Sequence, residues 1–155
     1  MACAKAPTND TQSTSEPPAI NSIDVVKANA QELTVAAGES GEAQVRLQIS
    51  NGYHVNANPA SFSYLIPTQL EVTPAAGVAV EFITYPDPLT RKFSFSEKPL
   101  AVYEGETTLK ARLKTDKTSK PGTHNLSAKL RVQACDDKVC YAPGAMDVTV
   151  PVNVK

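Results

Sequence analysis

The sequence LSAKLRVQACDDKVCY, which runs from Leu126 to Tyr141, decides how the rest of the chain is interpreted. Apolar and polar side chains alternate along its first nine residues, which is the period of a half-buried β-strand. Continuing this alternation places Cys135 on the outward, polar face. If the next four residues form a hairpin loop, Cys140 returns opposite Cys135, at a cross-strand Cα distance of about 4.5–5.5 Å that suits a disulfide. The sequence therefore predicts a local disulfide close to solvent.

This cysteine pair is consistent with two different roles. A structural disulfide stabilises a protein chiefly by restricting its unfolded chain, and the effect grows with the length of the closed loop. A ring of about six residues contributes roughly 2 kcal/mol on this basis, against about 4.7 kcal/mol for a ring of about 100 residues. Thiol–disulfide exchange requires instead that the thiolate of a partner reach one of the sulfurs. Both roles stay open from the spacing alone.

The same alternation recurs in short segments separated by Gly, Pro and Asn. Its other apolar sets are Val45, Leu47 and Ile49; Val78, Val80 and Phe82; Leu109, Ala111 and Leu113; and Val148, Val150, Val152 and Val154. Seven or more strands at this spacing predict an all-β fold, an immunoglobulin-like antiparallel β-sandwich. The chain has no tryptophan, which argues against an antibody-type domain. Pro151 falls on the opposite phase of the last set, which predicts an edge or a bulge.

Composition excludes several classes of function. The 155 residues carry a net charge of −1 with Lys and Arg scattered along the chain, so we expect no nucleic-acid partner. The apolar runs are shorter than the roughly 18 residues that a membrane helix needs. We expect no cofactor, because the sequence has no nucleophile–base pattern and no phosphate-binding glycine loop. Cys135, Cys140, Met146 and a histidine are soft ligands that suit Cu(I), but their spacing matches no compact metal motif, so we expect no metal.

The first twenty residues differ in composition from the rest. Residues 5–18 are rich in Ser, Thr and Pro without apolar periodicity, so we expect residues 1–20 to be a disordered tether and residues 21–155 to be the folded domain. Cys3 follows Ala2 and precedes this tether, as in the processed end of a bacterial lipoprotein, where the cysteine carries the lipid. Cys3 is therefore the predicted lipidation site and the predicted point of membrane contact. The alternative is a cytosolic start with an incidental cysteine.

Several segments together resemble a known family. They are Gly52–Pro59, Tyr64–Leu70, Phe93–Gly105 and a cysteine motif that consists of Gln133, Cys135, Cys140, Tyr141 and Pro143. This combination is similar to the amino-terminal domain of the bacterial thiol:disulfide interchange protein DsbD, over roughly residues 22–154. The resemblance implies an immunoglobulin-like sandwich whose cysteine pair relays electrons in the periplasm. It also implies thioredoxin-like proteins as partners that donate electrons to the pair or accept them from it.

The resemblance implies separate roles for the two catalytic cysteines. Cys140 forms the mixed disulfide with a partner, and Cys135 resolves it. The negative charges of Asp136 and Asp137 disfavour a thiolate at Cys135, whereas Lys138 acts in the opposite direction. We therefore expect unactivated thiols whose reactivity is supplied by the partner. The alternative interpretation of the two aspartates is that they are turn formers.

The resemblance also implies an aromatic loop that caps the disulfide and moves aside for partners. We expect this loop within residues 85–98, with Phe93 or Phe95 as the covering ring and Tyr141 at the partner-docking surface. The alternative is that both phenylalanines pack inside the sandwich. His54 lies in a family-like segment, and a lone histidine near a strand is most often structural.

Two functional hypotheses follow from the sequence. The first is a periplasmic thiol–disulfide carrier of the protein-disulfide reductase type, an electron relay that docks thioredoxin-fold partners. The second is a non-enzymatic β-sandwich module for binding or assembly with a structural disulfide. The cysteines are separated by four residues, where the best-known family member has five, and the chain ends at Lys155 without further domains. We therefore expect either a single-domain lipoprotein with a separate electron donor or a part of a larger protein.

Overall fold

The computed structural model describes residues 20–155, and these residues are almost entirely β-structure. A short 3-10 helix at Ser22–Val25 precedes the first strand. Within the described range the strands are β1 (Val26–Ala30), β2 (Leu33–Val35), β3 (Ser40–Ile49), β4 (His54–Asn56), β5 (Gln69–Val72), β6 (Val78–Thr84), β7 (Leu89–Arg91), β8 (Leu100–Tyr103), β9 (Glu106–Thr115), β10 (Gly122–Val132), β11 (Ala134–Cys135) and β12 (Gly144–Val154). The same range contains no helix that is long and apolar enough to span a membrane. Residues 1–19 of the predicted tether, and with them Cys3, lie outside the described range.

The strands of residues 20–155 form three four-stranded sheets. The strand order is β1-β3-β9-β6 in the first sheet, β2-β12-β10-β5 in the second and β11-β4-β8-β7 in the third. Paired strands are antiparallel except β2 and β12, which run parallel. Inward side chains of the first two sheets pack together in one hydrophobic core. The fold is therefore the predicted all-β, immunoglobulin-like antiparallel β-sandwich, and the third sheet begins where β10 ends.

Alternating apolar residues build this core, as the sequence predicts. Leu47 in β3, Leu113 in β9, Leu130 in β10 and Val150 in β12 are completely buried, while their neighbours along each strand are exposed or half-buried. Burying an aliphatic side chain of this size stabilises the folded state by about 1.5–3 kcal/mol relative to leaving it exposed. The core therefore fixes which face of each strand is turned inward.

The alternation predicted for β6 is only partly correct. Val78 is buried, but Phe82 is 55% exposed. The pairing of β6 with β9 shifts its register between Val80 and Phe82, which is the mark of a β-bulge. The extra residue reverses which side chains face the core, so Ile83 is half-buried instead. The expectation that Phe82 points inward is wrong.

Pro151 lies in β12, where the sequence predicts an edge or a bulge. β10 pairs with β12 along its whole length, whereas β2 pairs only with Val152, Asn153 and Val154. Pro151 therefore lies one residue outside the ladder formed with β2, and its missing N–H removes no hydrogen bond from that ladder. This agrees with an edge position on that side of the strand.

Leu130→Ala is expected to lower the free energy of unfolding by about 2–5 kcal/mol, because it leaves a cavity in the core on the inner face of the second sheet. Denaturant-induced unfolding of the oxidised protein measures the change. The control is Arg131→Ala, on the exposed face of the same strand, which should alter stability by less than about 0.5 kcal/mol. Equal effects of the two substitutions would contradict the assignment of the faces.

Candidate functional site

The chain changes sheets at Gln133. β10 ends at Val132 in the second sheet, and β11 pairs with β4 in the third sheet, where Cys135 lies directly opposite His54. Both residues of β11 are buried, and Cys135 has no exposed surface. The expectation that Cys135 faces outward is therefore wrong. The alternation holds as far as Ala134 but does not apply to Cys135, because the chain here enters a second ladder whose residues are all buried.

Beyond β11 the chain turns back in a tight hairpin. Cys135 and Cys140 face each other as an antiparallel bridge and form a disulfide, with their Cα atoms 3.9 Å apart. The amide of Asp136 donates a hydrogen bond of 2.9 Å to the carbonyl of Val139. The four-residue loop and the local disulfide are thus confirmed. Because Cys140 is exposed, the disulfide joins a surface residue to a buried one.

The carboxylate of Asp136 organises the hairpin loop. Its Oδ1 accepts the amides of Lys138 and Val139 at 2.8 Å each, and its Oδ2 accepts the hydroxyl of Tyr141. The Tyr141 hydroxyl, together with the two amides, holds the pKa of Asp136 below its ordinary value. The same hydrogen bond raises the pKa of Tyr141 to about 12. Asp136 is thus a turn former, as one interpretation of the sequence proposed.

The base of the hairpin is held by Ser22, a residue that the sequence analysis missed. Ser22 is completely buried, and its hydroxyl donates to the carbonyl of Ala142 at 2.6 Å and accepts the amide of Ala134 at 2.8 Å. The 3-10 helix presents this hydroxyl because Asn21 and Asp24 form a capping box around its first turn. The Asn-Ser-Ile-Asp pattern is the signal that marks this helix start in the sequence.

A second polar contact links the cysteine motif to the family-like segments. The side-chain oxygen of Gln133 accepts the side-chain amide of Asn56 and the main-chain amide of Ile66, both at 3.0 Å. Asn56 is buried, and its side chain also donates to the carbonyl of Ile66 at 3.1 Å. These residues therefore fix the third sheet and the segment before β5 around the point where the chain changes sheets.

The predicted cap loop lies against the cysteine hairpin. The ring of Phe93 stacks on the ring of His54, with 4.0 Å between centroids, and the ring of Phe95 stacks on Phe93 at 5.4 Å. The hydroxyl of Ser94, between the two phenylalanines, donates to the carbonyl of Asp137 at 2.8 Å. The loop is thus joined to the hairpin by a side-chain hydrogen bond and by stacked aromatic rings.

Neither phenylalanine belongs to the buried core of the sandwich. Phe93 is half-buried against a small separate cluster of Leu65, Leu100 and Val102. Phe95 is 38% exposed and lines a pocket of about 430 Å³ that Cys140 also lines. The alternative that both rings pack inside the sandwich is therefore not what the structure shows.

His54 lies beneath this loop and beside Cys135. The histidine is only 2% exposed, and burial lowers its pKa, while the negative charges of Glu104 and Asp136 oppose the shift. The other histidine, His124, is half-buried near the far end of β10. Among residues 20–155 no group of three or more His, Cys, Asp or Glu side chains is arranged to hold a metal ion.

The family of the chain follows from a comparison of its sequence with models of known families. Residues 24–151 match the model described as thiol:disulfide interchange protein DsbD, N-terminal. The chain belongs to this family. The resemblance of the cysteine motif and its accompanying segments to the DsbD amino-terminal domain is thereby confirmed. A comparison with curated proteins finds no match.

Solved structures similar to this DsbD N-terminal domain include the N-terminal periplasmic domain of ScsB from Proteus mirabilis, with a TM-score of 0.53 and 14% identity. The match covers 83% of this chain and 45% of the ScsB chain, so the present chain spans less than half of that structure. At this level of identity the similarity shows the fold alone. A type I cohesin–dockerin complex from Clostridium thermocellum matches with a TM-score of 0.48 and 8% identity, over 90% of this chain and 99% of that chain.

The hydrogen bonds of Asp136 predict a pH dependence of stability. Because the folded-state pKa of Asp136 lies below its ordinary value of 3.8, its contribution is fully present above that value and is lost as the pH falls through the lower folded-state pKa. Thermal unfolding of the oxidised protein from neutral to strongly acidic pH should therefore show wild type losing more stability than Asp136→Asn.

The matched control is Asp137→Asn, because Asp137 contributes its main-chain carbonyl to the contact with Ser94. This variant should keep the pH dependence of the wild type. If Asp136→Asn also kept it, the stabilising role of the Asp136 carboxylate would be refuted.

Proposed function

We propose that this DsbD N-terminal domain is a periplasmic thiol–disulfide carrier, which accepts electrons from one thioredoxin-like protein and passes them to an exported protein. The observation that carries the proposal is the asymmetry of the disulfide, in which exposed Cys140 is bonded to buried Cys135. Exchange requires a sulfur that a partner can attack and a second sulfur that can leave and return. Membership of the thiol:disulfide interchange family and a fold shared with a periplasmic domain support the same assignment.

Reduction of the domain begins when a thiolate of the donor attacks Sγ of Cys140, since Cys135 is enclosed by protein. A bond forms between the donor sulfur and Cys140, the Cys135–Cys140 bond breaks, and Cys135 leaves as a thiolate with the electron pair. The second thiolate of the donor then attacks the donor sulfur of this mixed disulfide. Cys140 leaves as a thiolate, and the donor departs as a disulfide. Two electrons have then entered the domain, and its two sulfurs take up protons.

Transfer to the acceptor reverses these steps. The thiolate of Cys140 attacks a disulfide of the acceptor, and one acceptor sulfur leaves as a thiolate. Cys135 then attacks Cys140, restores the internal disulfide and releases the second acceptor sulfur. The loop organised by Asp136 holds Cys135 and Cys140 opposite each other in one hairpin, so the disulfide between them re-forms with little movement of the main chain.

In this proposal the loop that carries Phe93 and Phe95 controls access to Cys140. Phe93 is anchored on His54, while Phe95 forms part of the pocket wall beside Cys140. The loop surface is largely exposed, so a docking partner can displace it without opening the sandwich core. The closed loop keeps small thiols and oxidants away from the disulfide between encounters.

The surface around Cys140 suits a protein partner. Tyr64 is 72% exposed and Val139 is 52% exposed, and both line the pocket that Cys140 lines. The ring of Tyr141 packs against Tyr53 at 6.1 Å, and its hydroxyl is held by the loop carboxylate. We assign exposed Tyr64 and Val139, together with half-buried Tyr141, to docking, because aromatic and apolar side chains near a reactive bond provide contact area for a partner.

Cys135→Ser is expected to trap a thioredoxin-like protein as a mixed disulfide at Cys140, because the Cys140 thiolate can attack the disulfide of the oxidised partner but the sulfur that resolves a complex with an acceptor has been removed. The experiment incubates the variant with oxidised thioredoxin-like proteins from the source organism and separates the products on a non-reducing gel. Cys140→Ser is the matched control and should trap far less, since its remaining thiol is buried.

The reduction potential of the wild-type domain separates this function from that of a binding module with a structural disulfide. A relay should have a potential near −200 mV, on the order of values for exchange proteins, whereas structural disulfides lie below about −300 mV. A potential in the structural range, together with no trapped partner, would favour the binding module.

Phe95→Ala is expected to speed reduction of the disulfide by dithiothreitol several-fold, because it removes a wall of the pocket that Cys140 lines. Phe93→Ala should do the same by releasing the stack on His54. Stopped-flow kinetics at fixed pH measure the rates. The control is Phe82→Ala, an exposed phenylalanine on β6, which should leave the rate unchanged. Rates equal to wild type in both loop variants would remove the cap from the proposal.

A further inference from the structure

His54 and Cys135 are direct cross-strand neighbours. They are paired residues in the antiparallel ladder of β4 and β11. Side chains of directly opposite residues project to the same face of a sheet, with Cβ atoms about 4.5–5.5 Å apart. Both residues are buried, at 2% and 0% exposure respectively. The fold therefore places an imidazole beside the sulfur that the proposed exchange releases into the protein interior.

The imidazole of His54 has a polar atom without a partner. Its Nε2 is buried and makes no hydrogen bond within residues 20–155. Buried polar atoms are nearly always paired, and one left unpaired costs about 1–3 kcal/mol. Phe93 covers one face of the ring, so a non-polar aromatic residue would fill the same space without this cost. Packing alone therefore does not explain why a histidine occupies this position.

The chemistry at Cys135 supplies such an explanation. When a donor attacks Cys140, Cys135 becomes a thiolate in a site that has no exposed surface. A buried charge is strongly disfavoured unless it is paired or neutralised, so rapid protonation favours this step. In the reverse direction, the thiol of Cys135 must lose its proton before it can attack the mixed disulfide.

We infer that His54 is the proton relay of Cys135. During reduction, the imidazolium of His54 gives its proton to the Cys135 thiolate as the sulfur–sulfur bond breaks. During resolution, neutral His54 takes the proton from the Cys135 thiol as this sulfur attacks Cys140 and the partner sulfur leaves with the electron pair. The proton then passes to solvent. This inference rests on the proposed exchange function and adds one residue to its machinery.

The charges around His54 suit both protonation states. Burial lowers the pKa of His54, so the neutral form that accepts a proton is available at neutral pH. Glu104 and Asp136 oppose this shift and stabilise the imidazolium when it forms. His54 lines a pocket of about 660 Å³ together with Tyr53, Glu104 and Asp137, and this pocket is a route for protons to solvent.

The test measures the rate at which dithiothreitol reduces the disulfide, across a range of pH, with each rate divided by the fraction of dithiothreitol thiolate. In wild type, this corrected rate should fall as the pH rises through the pKa of His54, because the proton donor is lost. In His54→Phe, which retains a ring for Phe93 to stack on, the corrected rate should be independent of pH. At the acid end it should be slower by about 10²-fold, the low end of general acid–base effects.

His54→Gln provides a second variant with a neutral polar side chain, and it should show the same loss of pH dependence. His124→Phe is the matched control, because it removes the histidine near the far end of β10 and should keep the wild-type profile. Thermal unfolding of each oxidised variant verifies that the domain is folded.

A measurement on the unaltered domain keeps the inference testable if the variants do not fold. The inflection of the wild-type rate profile must coincide with the pKa of His54 obtained by NMR titration. A flat wild-type profile, an inflection at another pH, or an unchanged profile in His54→Phe would overturn the relay. Because dithiothreitol is the probe, such a result leaves the trapping of thioredoxin-like partners unaffected, and a failure of trapping leaves the rate profile unaffected.

Discussion

The site depends on satisfying the main-chain groups where the chain leaves one sheet and enters another. Between β10 and β11 the sheet ladders are interrupted, and buried amides without partners would cost about 1–3 kcal/mol each. The side chain of Gln133 accepts the main-chain amide of Ile66 and the side-chain amide of Asn56, and the main-chain carbonyl of Gln133 accepts the main-chain amide of Asn56. The hydroxyl of Ser22 accepts the main-chain amide of Ala134. These contacts permit the chain to pass from the second sheet to the third. If β10 continued in the second sheet instead, Cys135 would lie on the outer face of that sheet.

The change of sheet produces a disulfide between one buried and one exposed cysteine. Cys135 belongs to a buried ladder and is held by its neighbours, whereas Cys140 lies at the surface in a loop tied together by Asp136. The rigid sandwich thus supports a reactive bond at its edge without exposing its core. The aromatic loop completes the arrangement, because its rings lie on His54 and beside Cys140 while its main chain stays at the surface.

Much of this architecture could be predicted from the sequence, because apolar alternation reports which side chains are buried within one uninterrupted strand. It failed at Phe82 and at Cys135, for different physical reasons. At Phe82 a bulge inserts a one-residue change of phase, which leaves no mark in a pattern of apolar and polar residues. At Cys135 the phase is kept, because Ala134 is buried as predicted, but the chain has entered a ladder whose residues are all buried. The hairpin was predictable since its contacts are local. The roles of Ser22 and Gln133 were not, because their partners lie far away along the chain.

The two ends of the described chain lie at opposite poles of the sandwich. Ser22 is bonded to Ala142 beside the cysteine hairpin, whereas Lys155 is bonded to Val35 after β12 has crossed a length of about 33 Å. The start of β12 is packed closely on the entering chain, since a Cβ at Gly144 would clash with Asn21 Oδ1. A fusion partner or affinity tag joined ahead of Ile20 therefore arrives next to the reactive bond. A partner or tag joined after Lys155 lies at the opposite end of the sandwich, so attachment on that side immobilises the domain with its disulfide free.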